Sequence, residues 1–300
     1  MVQRGARLML YAVSHKTTFA YEFPVRFARC NLRLHPIDWD GQTVESYGLA
    51  IDPPAAVSAG RDNGYCVIGE RFVLDRPAAE LVITSRARVR VERETPEPEA
   101  GDPDVAAAAR AALGARALDK MAPANFLYPS PLIGAFPEIA AWCGAELRPE
   151  RGIVEAGLAL ARAIQASFHY DGSATELDTS PAEAFAARRG VCQDFAQIMI
   201  SGARSAGLAA AYVSGYLRTI PPPGKERLVG ADATHAWVML WCGPERGWLG
   251  FDPTNGCMVG SDHIVAAIGR DYADVAPIDG VFVGRDGQQI EVSVDVEPLG

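Results

Sequence analysis

A run of prolines and acidic residues, Glu94 to Pro103, divides this 300-residue chain into two halves of different character. It holds three prolines and four acidic residues in ten positions, and no helical or strand periodicity continues through it. Proline-rich, charged segments of this kind form extended spacers. We therefore predict a first domain at residues 1–95, a linker at 96–103 and a second domain at 104–300.

The first half has the pattern of short strands joined by turns. Apolar and polar residues alternate from Leu81 to Val91, which predicts a strand with one wet face. Leu8 to Val13 is predicted as the first strand. Turn sequences follow at Asp52-Pro53-Pro54, Asp62-Asn63-Gly64 and Asp75-Arg76-Pro77. These features predict an all-β, antiparallel, sandwich-like domain.

The second half begins with helices and ends with strands. The alanine-rich stretch 104–120 favours a helix, and apolar residues recur at helical intervals over 152–168. Ser180-Pro181-Ala182-Glu183 is a capping box that opens a short helix, which Arg188-Arg189-Gly190 is predicted to close. Strands are predicted over 210–217, 235–241 and 248–251, with a hairpin over 281–296 around Asp286-Gly287. The second half is therefore predicted to be α+β, with an antiparallel sheet.

Composition excludes several classes of protein. The net charge is −9, and residues 96–300 hold 15 Lys and Arg against 26 Asp and Glu, so this half should repel nucleic acid. No apolar run approaches the roughly 20 residues that cross a membrane. The first residues lack the long apolar region of a secretory signal, so we expect a cytoplasmic protein.

The cysteines give no sign of a metal site. All six are scattered along the chain without a C-x-x-C pair or a local cluster with histidine, so a structural zinc site is not expected. An acidic loop that would bind calcium is not evident either. We expect no metal and no other cofactor.

Cys192 stands in a setting unlike that of the other cysteines. Apolar residues at helical spacing begin at Phe195, so a helix should start at or next to Cys192. The unpaired N–H groups and the dipole at a helix N-terminus favour the thiolate and could hold an oxyanion. From these residues alone, Cys192 is either a nucleophile or a buried structural cysteine.

A thiolate nucleophile needs an imidazole, and the imidazole needs an orienting group. His235 opens a predicted strand 43 residues after Cys192, and Asp252 ends the next strand 17 residues later. Adjacent antiparallel strands can bring two such positions together. The spacing permits a Cys–His–Asp arrangement without proving it.

Three ordered blocks of the chain, RRGVCQDFA, THAWV and GWLGFDPTNG, resemble the bacterial transglutaminase-like (papain-like) superfamily of cysteine proteases. The first 95 residues are similar to the β-rich domain commonly fused ahead of that core. The resemblance implies a papain- or transglutaminase-like core, a helix bundle packed on an antiparallel sheet. It also implies that Cys192, His235 and Asp252 form a catalytic triad.

The sequence predicts supporting roles for several other residues. Tyr170, Gln193 and Trp237 are candidates for an oxyanion donor or for a wall of the cleft, although the sequence favours a core tyrosine at Tyr170. Where relatives carry histidine and glutamate, this chain has Gln197, which we expect to pack, and Met239. Asp194 is expected to complement the helix dipole. Asn255 and Gly256 are expected to shape the turn that aims Asp252, and His263 to be structural.

The expected reaction is acyl transfer from a peptide or glutamine-type amide through a thioester on Cys192. We expect hydrolysis, as by a peptidase or amidase, rather than protein-glutamine cross-linking, and peptides or proteins as the substrates. Two other interpretations stay open: a catalytically idle interaction scaffold, and a protein whose cysteines bind metal.

Overall fold

The computed structural model of the chain describes residues 8–61, 63–175, 179–219, 233–285 and 287–299. The predicted turns at Asp62 and Asp286 therefore include positions outside the described residues. The strands are β1 (Leu8–Val25), β2 (Phe27–Leu32), β3 (Gln42–Asp52), β4 (Val57–Ala59), β5 (Cys66–Val67), β6 (Glu70–Leu74), β7 (Ala78–Glu92), β8 (His169–Tyr170), β9 (Arg189–Gly190), β10 (Ala210–Leu217), β11 (Ala233–Trp241), β12 (Trp248–Asp252), β13 (Cys257–Met258), β14 (His263–Gly269), β15 (Ile278–Val283) and β16 (Gln288–Pro298). The helices are α1 (Val105–Gly114), α2 (Pro137–Gly144), α3 (Ile153–Ser167), α4 (Pro181–Ala187), α5 (Cys192–Ser205) and α6 (Tyr272–Val275), with a 3₁₀ helix at Pro123–Phe126.

The first part of the chain forms two four-stranded antiparallel sheets, in the orders β16-β1-β7-β3 and β15-β2-β6-β4. In β7, buried and exposed positions alternate over much of the strand, because successive side chains point to opposite faces of a sheet. Leu81 and Ile83 from β7 share one buried cluster with Phe72 and Leu74 from β6. The two sheets thus enclose a common core, which confirms the sandwich-like β-rich prediction.

The predicted hairpin over residues 281–296 is wrong in its pairing. β15 pairs with β2, with Ile278 opposite Leu32, and β16 pairs with β1, so the two strands lie in different sheets. Alternation in a sequence identifies a strand but carries no information about a distant partner. Residues 278–298 therefore complete the sheets of the first domain, although the sequence grouped them with residues 104–300.

The second part is built on an antiparallel sheet in the order β13-β12-β11-β10-β14-β5. Helix α5 packs across β10 and β11 and is buried from Gln193 to Arg204. Helix α3 packs against β12, where Gly157 permits close approach: a Cβ there would lie 2.7 Å from the ring of Phe251. This packing confirms the α+β prediction and brings the start of α5 to the strands that carry His235 and Asp252.

The predicted helices form with two differences at their ends. Helix α1 stops at Gly114 because Ala115 is extended, so residues 115–120 are not helical. Helix α4 has the predicted capping box but ends on Arg188, which is left-handed with φ 55°, rather than on Gly190. The Arg188 guanidinium lies 4.1 Å from the ring centre of Phe185 and also over two other rings. This stacking offsets the strain of the left-handed backbone.

The segment predicted as a solvated linker contacts the second domain. The Asp102 side chain is 3% exposed, and its Oδ1 lies 3.2 Å from Nε of Arg246. Arg246 also donates to the carbonyl of Glu97. Among the described residues, no helix has the length and apolar character needed to cross a membrane.

Candidate active site

Cys192 is the first residue of α5, as the sequence predicted. The carboxylate of Asp194 accepts the Val191 N–H at 2.8 Å and the Thr175 hydroxyl at 2.7 Å, so Asp194 caps the N-terminus of the helix. Gly190 leaves room for it, since a Cβ at 190 would lie 2.5 Å from Asp194 Oδ2. Cys192 is half-buried whereas the twelve residues after it are buried, so the thiol stands where the helix meets accessible space.

His235 lies near the start of β11 and connects Cys192 with Asp252. Its Nε2 is 2.8 Å from Asp252 Oδ2, and the Cys192 thiol lies close enough to the same ring to raise its pKa. Because Asp252 occupies Nε2, Nδ1 is the nitrogen that remains for the sulfur. Burial is the largest influence on the pKa of His235 and lowers it. Hydrogen bonds to Asp252 and Cys192 and the charges of both groups outweigh burial and raise that pKa to about 10.

Asp252 ends β12 and is completely buried. Its Oδ1 accepts the backbone N–H groups of Thr254 at 2.9 Å and Asn255 at 3.1 Å. Its Oδ2 accepts the Asn255 amide at 2.7 Å and lies 3.1 Å from Nε2 of His263, in addition to its contact with His235. Burial alone would raise the pKa of Asp252, but the hydrogen bonds and charges of the two histidines hold it far below its ordinary value.

The sequence missed His263 as a member of the site. It was expected to be structural because it stands alone before an apolar strand, without any spacing that relates it to the other three residues. In the fold it is the first residue of β14, is buried, and contacts the same carboxylate oxygen as His235. Asn255 shapes the turn as predicted and also donates directly to Asp252, with Gly256 beyond it at φ +63°.

The other residues that the sequence predicted for the site lie around Cys192, His235 and Asp252. Tyr170 is 54% exposed on β8, with its ring edge-on to Phe195. Its pKa is raised by burial and by the charges of Cys192 and Asp194. Gln193, next to Cys192, is buried. Trp237 is wholly buried behind the imidazoles, with its ring centre 5.3 Å from that of His263, so it supports the site rather than lining an open cleft.

Two further tyrosines near Cys192 were not predicted as site residues. Burial raises the pKa of Tyr212 on β10 and of Tyr272 on α6, and the charge of Cys192 raises both further. Their rings meet edge-on, with centres 6.4 Å apart. Gln197 is buried, in agreement with its predicted packing role. Together with Tyr170, these two tyrosines give the thiol aromatic surroundings.

Among the described residues, one group of side chains has the composition of a metal site. The ligand atoms of His235, Asp252 and His263 all lie within 4.8 Å of one another. Hydrogen bonds nevertheless already occupy these ligand atoms. Asp252 Oδ2 accepts from the Asn255 amide and from both imidazoles. The Gly260 N–H approaches His263 Nδ1 at 3.4 Å, so the hydrogen of the His263 ring lies on Nε2. A metal would need that nitrogen deprotonated. The geometry fits a proton-ordering network better than a metal centre.

The geometry defines what chemistry this site can support. A half-buried thiol lies near an imidazole with raised pKa, and that imidazole is bonded to a buried carboxylate. This is the arrangement of a nucleophile, its acid–base partner and an orienting group. The backbone N–H of Cys192, at the positive end of the α5 dipole, is the group that could hold an oxyanion near the sulfur. Such a site can form and resolve a thioester.

Two family models match consecutive parts of the chain. Residues 11–90 match the bacterial transglutaminase-like N-terminal region, and residues 143–253 match the transglutaminase-like superfamily. The second match contains Cys192, His235 and Asp252.

Similar proteins are found over the whole length. An uncharacterized protein of Mycobacterium tuberculosis is 40% identical over 298 residues, 96% of this chain and 93% of the relative. A protein-glutamine gamma-glutamyltransferase of Pseudomonas aeruginosa is 42% identical over only 71 residues, 23% of this chain and 10% of the relative. Among solved structures, a proposed cysteine protease of Cytophaga hutchinsonii superposes with a TM-score of 0.77 at 18% identity, covering 98% of this chain and 92% of its own. That likeness establishes a shared fold.

Proposed function

Because the chain belongs to the transglutaminase-like superfamily, we propose that it is a cysteine enzyme that cleaves amide bonds of peptides or proteins through a thioester. The observation that carries this proposal is the convergence of three groups: Cys192 at the start of α5, His235 near enough for the thiol to raise its pKa, and the buried carboxylate of Asp252 bonded to His235. An idle scaffold would have no need of a buried charge with five hydrogen-bond donors. Burying a carboxylate costs free energy unless it is paired and hydrogen-bonded, and one of the partners of Asp252 is the imidazole near the thiol.

The proposed reaction has two halves. The Cys192 thiolate attacks the amide carbonyl, and the developing oxyanion is held by the backbone N–H of Cys192 at the start of α5. The His235 imidazolium gives its Nδ1 proton to the departing amine as the C–N bond breaks, which leaves a thioester. Neutral His235 then takes a proton from water, the resulting hydroxide attacks the thioester, and the acid and the Cys192 thiolate are released with His235 protonated again. Asp252 stays ionised throughout and keeps the ring oriented.

Water and an amine are the two possible acceptors of the acyl group. Hydrolysis is our leading proposal because water needs no acceptor site of its own. Transfer to an amine is the second candidate, and the local similarity to a protein-glutamine gamma-glutamyltransferase favours it. The cytoplasmic location remains a prediction.

Activity-based labelling tests the proposal directly. Wild-type protein should react at Cys192 with an electrophilic peptidyl or glutaminyl probe, and Cys192→Ala should not. Cys257→Ala is the matched control, since Cys257 is also half-buried and lies opposite Asp252 on β13, yet burial and the Asp252 charge raise its pKa to about 11. Labelling that persists in Cys192→Ala, or that disappears in Cys257→Ala, would contradict the assignment.

A second assay separates the two acceptors. A glutamine peptide incubated with a labelled primary amine should yield ammonia and free acid if the enzyme is a hydrolase, and the amine adduct if it is a transferase. Reaction of Cys192 with iodoacetamide at pH 6, where ordinary thiols with a pKa of about 8.5 react slowly, distinguishes an active site from an idle scaffold.

A further inference from the structure

Asp252 lies between two imidazoles, of which the reaction proposed above uses one. His235 approaches Oδ2 at 2.8 Å from β11, and His263 approaches the same oxygen at 3.1 Å from β14. The two ring centres are 6.2 Å apart, so the rings do not stack, and the carboxylate oxygen connects them. His263 is buried and is not in the line that reaches the thiol.

The surroundings of His263 fix its protonation. The Gly260 N–H approaches Nδ1 at 3.4 Å, which makes Nδ1 the acceptor and places the hydrogen on Nε2, facing Asp252. Its charged neighbours are Asp252, His235 and Arg93. Burial, with the positive charges of His235 and Arg93, keeps the pKa of His263 below its ordinary value in spite of Asp252. His263 is therefore a neutral donor beside an imidazole whose pKa is raised.

The turn that carries His263 is anchored from the first domain. Nη1 of Arg93 lies 3.2 Å from the carbonyl oxygen of His263 and 3.5 Å from that of Gly260, while its Nε and Nη2 hold the carbonyl of Asp40. The Tyr11 hydroxyl donates to Asp262 at 2.9 Å. The position of the second imidazole thus depends on residues that come before the linker.

We propose that His263 is a positioning residue, whose Nε2–H fixes the Asp252 carboxylate in the orientation that holds His235. This inference rests on the proposed function, because it concerns the same triad. A neutral donor suits the role, since it restrains the carboxylate without adding a positive charge that would compete with protonated His235. A second imidazolium would share the negative charge and weaken the hold on the first.

Two variants separate hydrogen bonding from packing. His263→Gln retains an N–H near the position of Nε2, whereas His263→Phe fills similar space without a donor, and both lose the Nδ1 acceptor for Gly260. We expect His263→Phe to lower the alkylation rate of Cys192 at pH 6 roughly 10- to 100-fold, the range set by losing one hydrogen bond to a charged group. His263→Gln should stay within about threefold of wild type, and both should unfold cooperatively on heating.

Histidine-selective ¹⁵N NMR provides a readout that needs no activity. Wild-type His263 should be the Nε2–H tautomer, and its pKa should lie below the ordinary value for a histidine because of burial and the nearby positive charges. The pKa of His235 should fall by at least about one unit in His263→Phe, because a loosened Asp252 stabilises the imidazolium less, and it should be retained in His263→Gln.

The outcomes distinguish this inference from the proposed function. Ordinary titration of His263 near pH 6.5, a hydrogen on Nδ1, or equal behaviour of the Phe and Gln variants would overturn the positioning role. If instead wild-type Cys192 proves unreactive at pH 6 while the NMR results are as expected, the hydrolase proposal fails and the role of His263 stands.

Discussion

Replacing Asp252 by asparagine is the most incisive perturbation of this site. Oδ1 accepts two backbone N–H groups, and Oδ2 accepts the Asn255 amide and the two imidazoles. An asparagine side chain offers one oxygen and one NH₂ group, so in either orientation the NH₂ group faces donors. With the oxygen kept on the backbone side, His235 and His263 both lose their acceptor.

The size of the effect follows from what Asp252 does for His235. Burial lowers the pKa of His235, and Asp252 with Cys192 raises it to about 10, so without the carboxylate the imidazolium is no longer favoured. A hydrogen bond to a charged group contributes about 1.5–3 kcal/mol, or roughly 10- to 100-fold in rate. Replacing the equivalent carboxylate in a serine triad costs about 10⁴-fold. We expect Asp252→Asn to lose roughly 10²- to 10⁴-fold in the rate of thioester formation.

The assay is the second-order rate of Cys192 alkylation from pH 5 to 10, measured by mass spectrometry. At pH 6 wild type should react faster than Asp252→Asn, because Asp252 keeps His235 protonated beside the sulfur and the asparagine does not. Thermal unfolding checks that the variant is folded. If folded Asp252→Asn has the wild-type rate and pH dependence, the carboxylate does not hold His235, and our interpretation of the triad is wrong.

Three substitutions test how the ends of α4 and the start of α5 support the site. Gly190→Ala places a Cβ 2.5 Å from Asp194 Oδ2, so we expect the free energy of unfolding in urea to fall by about 1–3 kcal/mol and Cys192 to be alkylated more slowly. An unchanged alkylation rate would show that Asp194 does not order the start of α5. Ser180→Ala removes the N-cap of α4 and should cost about 1 kcal/mol in the same unfolding assay without changing kcat. Arg188→Ala removes the guanidinium that lies over three aromatic rings and should cost about 0.5–2 kcal/mol, again with kcat retained; a large loss of kcat would give Arg188 a role in the site.

Local signals in the sequence predicted much of this fold. The alternation in β7, the capping box of α4 and the start of α5 at Cys192 depend on neighbours within a few residues, and all three form as predicted. The contacts among Cys192, His235 and Asp252 could be expected because three motifs occur in order. That expectation came from resemblance to a family, since spacing alone only permitted it.

What the sequence could not predict depends on contacts between distant residues. β16 pairs with β1 across almost the whole chain, and no local pattern distinguishes that partner from β15. His263 looks like an isolated histidine because the features that define its role, Asp252 and the Gly260 N–H, are brought to it by the fold. Arg188 adopts a left-handed backbone although Gly190 is two residues away, because aromatic rings around it stabilise its side chain.

These long-range contacts connect the first domain to the candidate active site. The triad needs a carboxylate that stays charged although it is fully buried, and a buried charge is tolerated only when its hydrogen bonds are satisfied. One of the donors that satisfy Asp252 is His263, whose turn is held by Arg93. The sheets also share a core, since Tyr11 and Val294 cluster with Ile264 from the second domain. The β-rich domain therefore contributes to the electrostatics that the proposed reaction requires, and a linker between two independent units is a poor description of residues 96–103.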